Sequence, residues 1–245
     1  MRTILTCFSL LLALSGISYG AGDVTVHLAG GAAPLKLSGV ERLADLVTQP
    51  ALAQSWWPGA VIAEPNASAV AQRRHRALLQ RLAALASENP GETGAAFEQL
   101  RRQLADMRIT GRLRVNLDPD WVRVHAENNL PLDGHYTLWA GAQPASVTLL
   151  GLTSAPGKKV WVPGRSVDAY LDGISRLRGA ERSYAWVIYP DGRTLKAPIA
   201  YWNHRHIEPT PGSLIFIGFA DALFSSARDG LNEQILYSLT HRIPD

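Results

Sequence analysis

Four apolar segments decide the fold of this chain: VTLLG (residues 147–151), AWVIY (185–189), TLKAPI (194–199) and LIFIGF (214–219). All four are rich in aliphatic, β-branched or aromatic residues, as β-strands are. LIFIGF is apolar on both faces, which is typical of a strand that is covered from both sides. It therefore predicts the centre of a sheet.

The connections between these segments predict the rest of the unit. A Pro156-Gly157 turn leads into a second strand, and Ser166 can cap a short helix that ends near Gly173. Asp191-Gly192 predicts a two-residue hairpin of type I′, with positive φ at both positions. One amphipathic helix against a small mixed sheet indicates an α+β unit of the β-grasp kind. The helix face comprises Val167, Tyr170, Leu171 and Ile174.

A similar order of elements begins earlier in the chain. Residues 24–28 and 35–37 alternate as strands do, and a helix follows them. The sequence therefore predicts two tandem units of one architecture, with an insertion inside the first. The predicted helix face carries Val40, Leu43 and Val47, and the three strands that complete the unit are RLRVNL (112–117), WVRV (121–124) and YTLW (136–139).

Helical periodicity predicts an inserted hairpin and a C-terminal helix. Asn66 is a good cap for a helix to about residue 87, and a second helix starts near Thr93 after the break Asn89-Pro90-Gly91. At the end of the chain, the polar face of the last helix is mixed and not basic, which favours packing on its own domain over docking to a membrane or partner. That face carries Arg228, Asp229, Glu233 and Gln234. The apolar face of that helix comprises Phe224, Leu231, Ile235 and Leu239.

The first twenty residues are typical of a signal peptide. Arg2 precedes an apolar core (4–17), and small residues stand before Ala21. Cys7 lies inside that core, too early for a lipoprotein cysteine, so the mature chain has no thiol. We expect a soluble protein exported to the periplasm, without stable membrane insertion. The predicted boundaries are 1–20 for the signal peptide, 21–143 for the first domain with its insertion at 64–108, 144–221 for the second domain and 222–245 for the C-terminal helix.

Composition and motifs exclude several function classes. The formal net charge is only +3 and the sequence has no block of Lys and Arg, so no nucleic-acid partner is indicated. Nucleophile-elbow, zinc-protease and phosphate-loop motifs are missing from the sequence. His204-x-His206 lacks a third ligand beyond Glu208, and polar loop residues explain it better than a metal site. Turn carboxylates could serve a glycan-cleaving enzyme, although Asp at turns usually caps the backbone. These carboxylates are Asp118, Asp120, Glu127 and Asp133.

Aromatic and arginine placement gives the candidate ligand-binding residues. Adjacent indoles at Trp56 and Trp57 cannot both face one core, and Trp202 follows a proline break in a similar loop. Such rings either stack on sugars, anchor a protein interface or fill the seam between the two units. Arg112 follows a glycine, and could hold the carboxylate of an acidic sugar or simply pair with Asp118 or Asp120. The predicted ligand-binding residues are Arg112, Trp56, Trp57, Trp202 and His206; no catalytic residue, metal ligand or cofactor is predicted.

Several sequence words resemble the GfcC family of periplasmic proteins encoded with group-four capsule export systems. They occur in order over the whole mature chain, and the helical insertion departs most from the family. These words are LVTQP (46–50), WWPGA (56–60), ITGRL (109–113), LDPDxVRV (117–124), GxYTL (134–138), VTLLG (147–151), WxxGRSVxxYL (161–171), APxAxWNxRHxEPxPGS (197–213) and RxPD (242–245).

The resemblance implies two tandem β-grasp domains similar to the soluble-ligand-binding (SLBB) domains of Wza-like polysaccharide exporters. It also implies a non-catalytic accessory protein for capsule polysaccharide assembly or export, which binds the glycan or a component of the export machinery. A polysaccharide-modifying or polysaccharide-cleaving enzyme and a purely structural protein–protein adaptor are the alternatives. The glycan, the protein partner and the oligomeric state are left open by the sequence.

Overall fold

The computed structural model describes residues 20–30, 33–220 and 230–244. Its first sheet has the strand order β2-β1-β4-β3. β1 runs parallel to β4, while β2 and β3 pair antiparallel with β1 and β4. The four strands are β1 (Gly22–Leu28), β2 (Leu35–Val40), β3 (Val61–Ala63) and β4 (His135–Ala140).

The second sheet has the order β6-β5-β9-β7-β8, with β5 parallel to β9 and the other pairs antiparallel. Its central strand comes from LIFIGF and is buried along its whole length, so this prediction is confirmed. The five strands are β5 (Ser146–Gly151), β6 (Gly157–Val160), β7 (Tyr184–Ile188), β8 (Thr194–Pro198) and β9 (Leu214–Ile217).

Both sheets repeat one arrangement. In each, the first strand pairs antiparallel with the second strand and parallel with the last. The short helices α1 (Leu43–Val47) and α5 (Val167–Leu171) each follow the second strand of a sheet. β8 has no counterpart in the first sheet. The predicted α+β fold with two tandem units is therefore confirmed at this level.

The second half of the first unit differs from the prediction. RLRVNL forms no strand. Within this segment only Arg112 makes a β-bridge, an isolated one to Ala63. WVRV belongs to helix α4 (Pro119–Val124), because the Asp118 side chain accepts hydrogen bonds from the first free N–H groups and Pro119 occupies the first turn. The third strand is instead β3. Its three residues are too few to show the alternation of polar and apolar residues from which a strand is predicted.

Two smaller differences concern helix starts. Val40 is the last residue of β2 and not part of a helix. The first inserted helix, α2 (Pro65–Glu88), starts at a proline after Glu64, so Asn66 is not its cap. The second, α3 (Glu92–Ala105), begins one residue before Thr93. The predicted helical hairpin is confirmed.

The buried face of the inserted helices packs mainly on the second sheet, although α2 also contacts β4 of the unit that it interrupts. Their buried face joins the core built around the second sheet, where Phe97 stacks on Phe219 at 5.0 Å between ring centroids. The Gln103 side chain also accepts from the Gly151 amide at 2.7 Å and donates to its carbonyl at 3.1 Å. The insertion therefore joins the two units. Its buried residues in that core are Leu78, Leu82, Leu85, Ala96, Phe97, Leu100 and Leu104.

The C-terminal helix α6 (Leu231–Thr240) packs inside the same core. Ile235 and Leu239 are fully buried there, and the Ser238 hydroxyl contacts Nδ1 of His75 on α2 at 3.1 Å. Packing on its own chain is thus confirmed for this helix, while Phe224 and the signal peptide with Cys7 lie outside the described residues. Among the described helices, none combines the length and apolarity needed to cross a membrane.

The first testable consequence concerns Phe97. Phe97→Ala removes a fully buried ring that joins the insertion to the second sheet, so we expect the free energy of unfolding to fall by about 3–5 kcal/mol. Urea unfolding followed by circular dichroism measures this loss. Val124→Ala, at an exposed position, should cost less than about 0.5 kcal/mol. A similar small cost for Phe97→Ala would contradict the packing of the insertion.

A second consequence concerns acid pH. Burial lowers the pKa of His75, so the unfolded chain binds its proton more readily than the folded chain. Stability is therefore complete above about pH 6.5, the unfolded value, and falls as the pH drops from there toward the folded pKa. Urea unfolding between pH 7.5 and pH 5 should show this decline, less steeply in His75→Gln. His135→Gln, at an exposed position, controls for the loss of a histidine. An unchanged slope in His75→Gln would refute the assignment.

Candidate functional site

A cleft of about 730 Å³ lies between the two units. This volume is within the range of small-ligand sites in proteins. The first unit supplies the WWPG turn and the segment from Arg112 to Asp118, whereas the second unit supplies the turn between β7 and β8. The lining residues are Trp56, Trp57, Pro58, Ala60, Arg112, Leu113, Arg114, Val115, Asn116, Leu117, Asp118, Gln143, Tyr189, Pro190, Asp191, Arg193, Thr210 and Pro211.

Arg112 is a buried cation without a partner in the described part of the chain. Its Nε and Nη2 atoms are buried, and neither makes a hydrogen bond there. Burial, with repulsion from Arg242, lowers the pKa of Arg112 to about 10, while Asp191 acts in the opposite direction. The guanidinium is still charged at neutral pH. A fixed charge whose hydrogen-bonding capacity is unused attracts an anion such as a carboxylate.

The sequence left open that Asp118 or Asp120 is the partner of Arg112, and that interpretation is wrong. The Asp118 carboxylate accepts from the backbone amides of Asp120 and Trp121, at 2.9 and 3.3 Å. Asp120 pairs with Arg123 at 3.1 Å. Both acids therefore stabilise α4, and neither pairs with Arg112.

The turn between β7 and β8 makes room for Arg112. Gly192 has a φ of +87°, and a Cβ there would lie 2.7 Å from Nη1 of Arg112. The hairpin is confirmed but its predicted type I′ turn is wrong, because only Gly192 has positive φ. Pro190 and Asp191 are the central residues of a turn closed by the Gly192 amide on the Tyr189 carbonyl, at 2.9 Å.

The paired tryptophans form one wall of the cleft. The Trp56 amide donates to the Gly141 carbonyl at 2.7 Å, which fixes this turn against the end of β4. A Cβ on Gly59 would lie 2.6 Å from the Trp56 ring, so the ring lies directly over this glycine. Trp57 packs in part against the core of the first sheet. Both rings are half-buried and present their remaining surface to the cleft.

Trp202 and His206, the other two predicted residues, do not line this cleft. They lie in the loop after β8, where Trp202 is 75% exposed. His206 contacts Glu208 at 2.8 Å, and His204 contacts Asp168 at 3.1 Å. Each histidine thus has its own carboxylate, and no group of three His, Cys, Asp or Glu suited to a metal occurs among the described residues.

Sequence reasoning missed the arginines around Arg112. Arg114 and Arg193 line the same cleft, and the Arg193 guanidinium lies over the Tyr189 ring at 5.1 Å. Burial raises the pKa of the Tyr189 phenol, which stays protonated and can donate a hydrogen bond. One sequence feature could have identified Arg114 as a residue of this site: in ITGRLR it lies two residues after Arg112. Arg193 follows the Asp191-Gly192 turn, but the sequence does not place that turn beside Arg112.

The charge of the cleft is positive. Of the described residues that line it, three are arginines and two are acids, and both acids are already engaged. Asp118 caps α4, while Asp191 accepts from both the amide and the guanidinium of Arg193. Of the four turn carboxylates considered for catalysis, only Asp118 lines the cleft. This arrangement favours an anionic ligand with apolar faces.

The fold and cleft define a protein of two repeated α+β units with a basic, aromatic cavity at their seam. The family model described as "Capsule biosynthesis GfcC, N-terminal" matches residues 20–143, and "Capsule biosynthesis GfcC C-terminal" matches residues 155–244. The chain belongs to the GfcC capsule-biosynthesis family. It is also similar to the uncharacterized protein YjbG of Escherichia coli (strain K12), with 52% identity over 240 residues that cover 98% of each chain.

A third testable consequence concerns the effect of Arg112 on the stability of the fold. Arg112→Met keeps the aliphatic stem but removes a desolvated charge that has no partner. We therefore expect the free energy of unfolding to stay unchanged or rise by up to about 2 kcal/mol. Urea unfolding at pH 7 measures the change, with Arg123→Met as the control for an exposed ion pair. A clear loss of stability in Arg112→Met would mean that Arg112 has a structural role.

Proposed function

We propose that this protein is a non-catalytic accessory factor of capsule polysaccharide assembly or export that binds an acidic segment of the glycan in the cleft. The observation that carries the proposal is the unpaired, buried guanidinium of Arg112 beside Trp56 and Trp57. Membership of a capsule-biosynthesis family supports the same substrate class.

The chemistry of the cleft suits a uronic acid or another sugar carboxylate. A guanidinium donates two parallel hydrogen bonds to a carboxylate, and a cavity shielded from water strengthens them. Arg114 and Arg193 add positive charge that attracts an anionic polymer. The indole faces supply apolar surface for the C–H side of a sugar ring. Together these groups recognise charge and ring shape without requiring a reaction.

The absence of catalysis is also part of this proposal. Hydrolysis of a glycosidic bond commonly needs two carboxyl groups about 5–10 Å apart on either side of the bond. In this cleft Asp118 and Asp191 are the lining acids, and both already accept backbone hydrogen bonds. An acid that holds a helix or a turn is poorly placed to exchange protons with a substrate.

The cellular setting that we infer is the periplasm, reached through the predicted signal peptide. There the protein would act beside the outer-membrane exporter, either by presenting the glycan or by contacting an exporter component. The two repeated sheets, each with a parallel first and last strand and one crossing helix, support an assignment as β-grasp units of the SLBB kind. Wza-like exporters carry units of that kind, which fits a common ligand class.

The fourth testable consequence is direct binding. Isothermal titration calorimetry would use the mature protein and capsular polysaccharide purified from the source strain. We expect saturable binding, and we expect Arg112→Met to weaken it at least tenfold. A tenfold loss of affinity corresponds to about 1.4 kcal/mol, which one hydrogen bond to a charged group can supply. Arg123→Met removes the same charge outside the cleft and should bind as the unmodified protein does.

A chemical control separates charge from shape. Reduction of the polysaccharide carboxyl groups to alcohols leaves the sugar rings in place, and should abolish the Arg112-dependent part of the affinity. Equal binding of native and reduced polymer would refute recognition of an acidic sugar. If neither polymer binds at millimolar repeat-unit concentration, a protein–protein adaptor replaces the glycan-binding proposal. Shortening of the polymer during incubation would reveal an enzyme.

A further inference from the structure

A second cavity, of about 320 Å³, lies next to the cleft and has no role in the site described above. Trp56 lines both cavities. The linker between β4 and β5 also borders both, because Gln143 faces the cleft whereas Ala142 and Pro144 face the second cavity. The two cavities are therefore neighbours along two shared walls.

The floor of the second cavity is an aromatic platform. His27 on β1 and Trp139 on β4 are in register as neighbours and stack at 5.6 Å with an interplanar angle of 9°. Strand alternation places both on the face opposite the buried Val26 and Leu138. This part of the first sheet thus presents a pair of stacked rings to the cavity and not a packed core.

Small side chains and backbone atoms form most of the walls of the second cavity. Gly30, Gly59 and Gly141 contribute no side chain, and Ala140 and Ala142 contribute only methyl groups. Arg108 supplies a cation, and no acid among the described residues lines the cavity. A pocket with aromatic rings on one side and peptide groups on the other is suited to a sugar ring, which offers C–H faces and hydroxyl edges.

We propose that the second cavity is a further sugar-binding subsite, and that one oligosaccharide runs from the Arg112 cleft past Trp56 onto the Trp139–His27 platform. This inference rests on the proposed glycan-binding function and adds the length and chemical sequence of its ligand. The cleft takes the acidic residue, since its cations surround Arg112. The second subsite takes the neighbouring sugar, which contacts Trp139. The protein therefore reads an extended segment of the polymer and not a single terminal sugar.

The geometry of Trp56 supports a continuous path. Its backbone is held by the Gly141 carbonyl and its ring lies directly over Gly59, so the indole is fixed between the two cavities. Because this fixed residue borders both cavities, it can contact two consecutive sugars. A preorganised contact of this kind contributes affinity without the entropic cost of ordering the side chain.

The fifth testable consequence is a dependence of affinity on ligand length. Mild acid hydrolysis of the source strain's capsular polysaccharide, followed by size fractionation, yields fragments of one, two and three repeat units for calorimetry. We expect the affinity to rise about tenfold from the shortest fragment to the longer ones, as the second subsite fills. Ala142→Phe, at an exposed linker position that borders only the second cavity, should remove this rise while the shortest fragment keeps its affinity.

A second variant guards against an indirect effect of the added ring. Trp139→Ala removes the platform and should also abolish the rise, while Tyr201→Ala, which removes a fully exposed ring elsewhere, should preserve it. Thermal melts confirm that each variant is folded. An undiminished rise in both Ala142→Phe and Trp139→Ala overturns the second subsite alone, because the Arg112-dependent binding of short fragments would persist. Failure of every fragment to bind the unmodified protein overturns the proposed function, and the subsite with it.

Discussion

The position of the inserted helical hairpin is the constraint on which the rest of the structure depends. α2 and α3 leave the first unit after β3, yet their apolar face is buried against the second sheet, where Phe97 meets Phe219. The hairpin therefore joins the two units. The cleft lies where the WWPG turn of one unit faces the β7–β8 turn of the other.

Within that frame, Arg112 is costly to the fold. A buried cation without a hydrogen-bonding partner loses its hydration and gains little in return. The surrounding structure nevertheless keeps a place for it, since Gly192 leaves the space that any side chain would fill. Repulsion from Arg242 and Arg114 raises the electrostatic cost further. Such an arrangement is typical of a binding site, where an incoming anion supplies the missing partner.

The sequence was informative where local patterns determine structure. The continuous apolar run of LIFIGF identified the central strand, and the break at Asn89-Pro90-Gly91 identified the hairpin of α2 and α3. WVRV was misassigned because its alternation resembles a strand, although the preceding Asp118-Pro119 is a helix start. Three of the five predicted ligand-binding residues line one cleft, but no local pattern shows that Arg193 comes from the other unit to join them. Contacts between distant segments, and the unpaired state of Arg112, arise only from tertiary packing.

The chain order of the insertion has a consequence for protein synthesis. The apolar stripe around Leu78, Leu82 and Phe97 emerges from the ribosome more than a hundred residues ahead of Phe216 and Phe219, which cover it in the folded protein. Until that last strand is made, neither the hairpin nor the second sheet can complete its core. Incomplete cores of this kind attract chaperones and aggregate readily. The nascent chain thus depends on protection until its synthesis is almost finished.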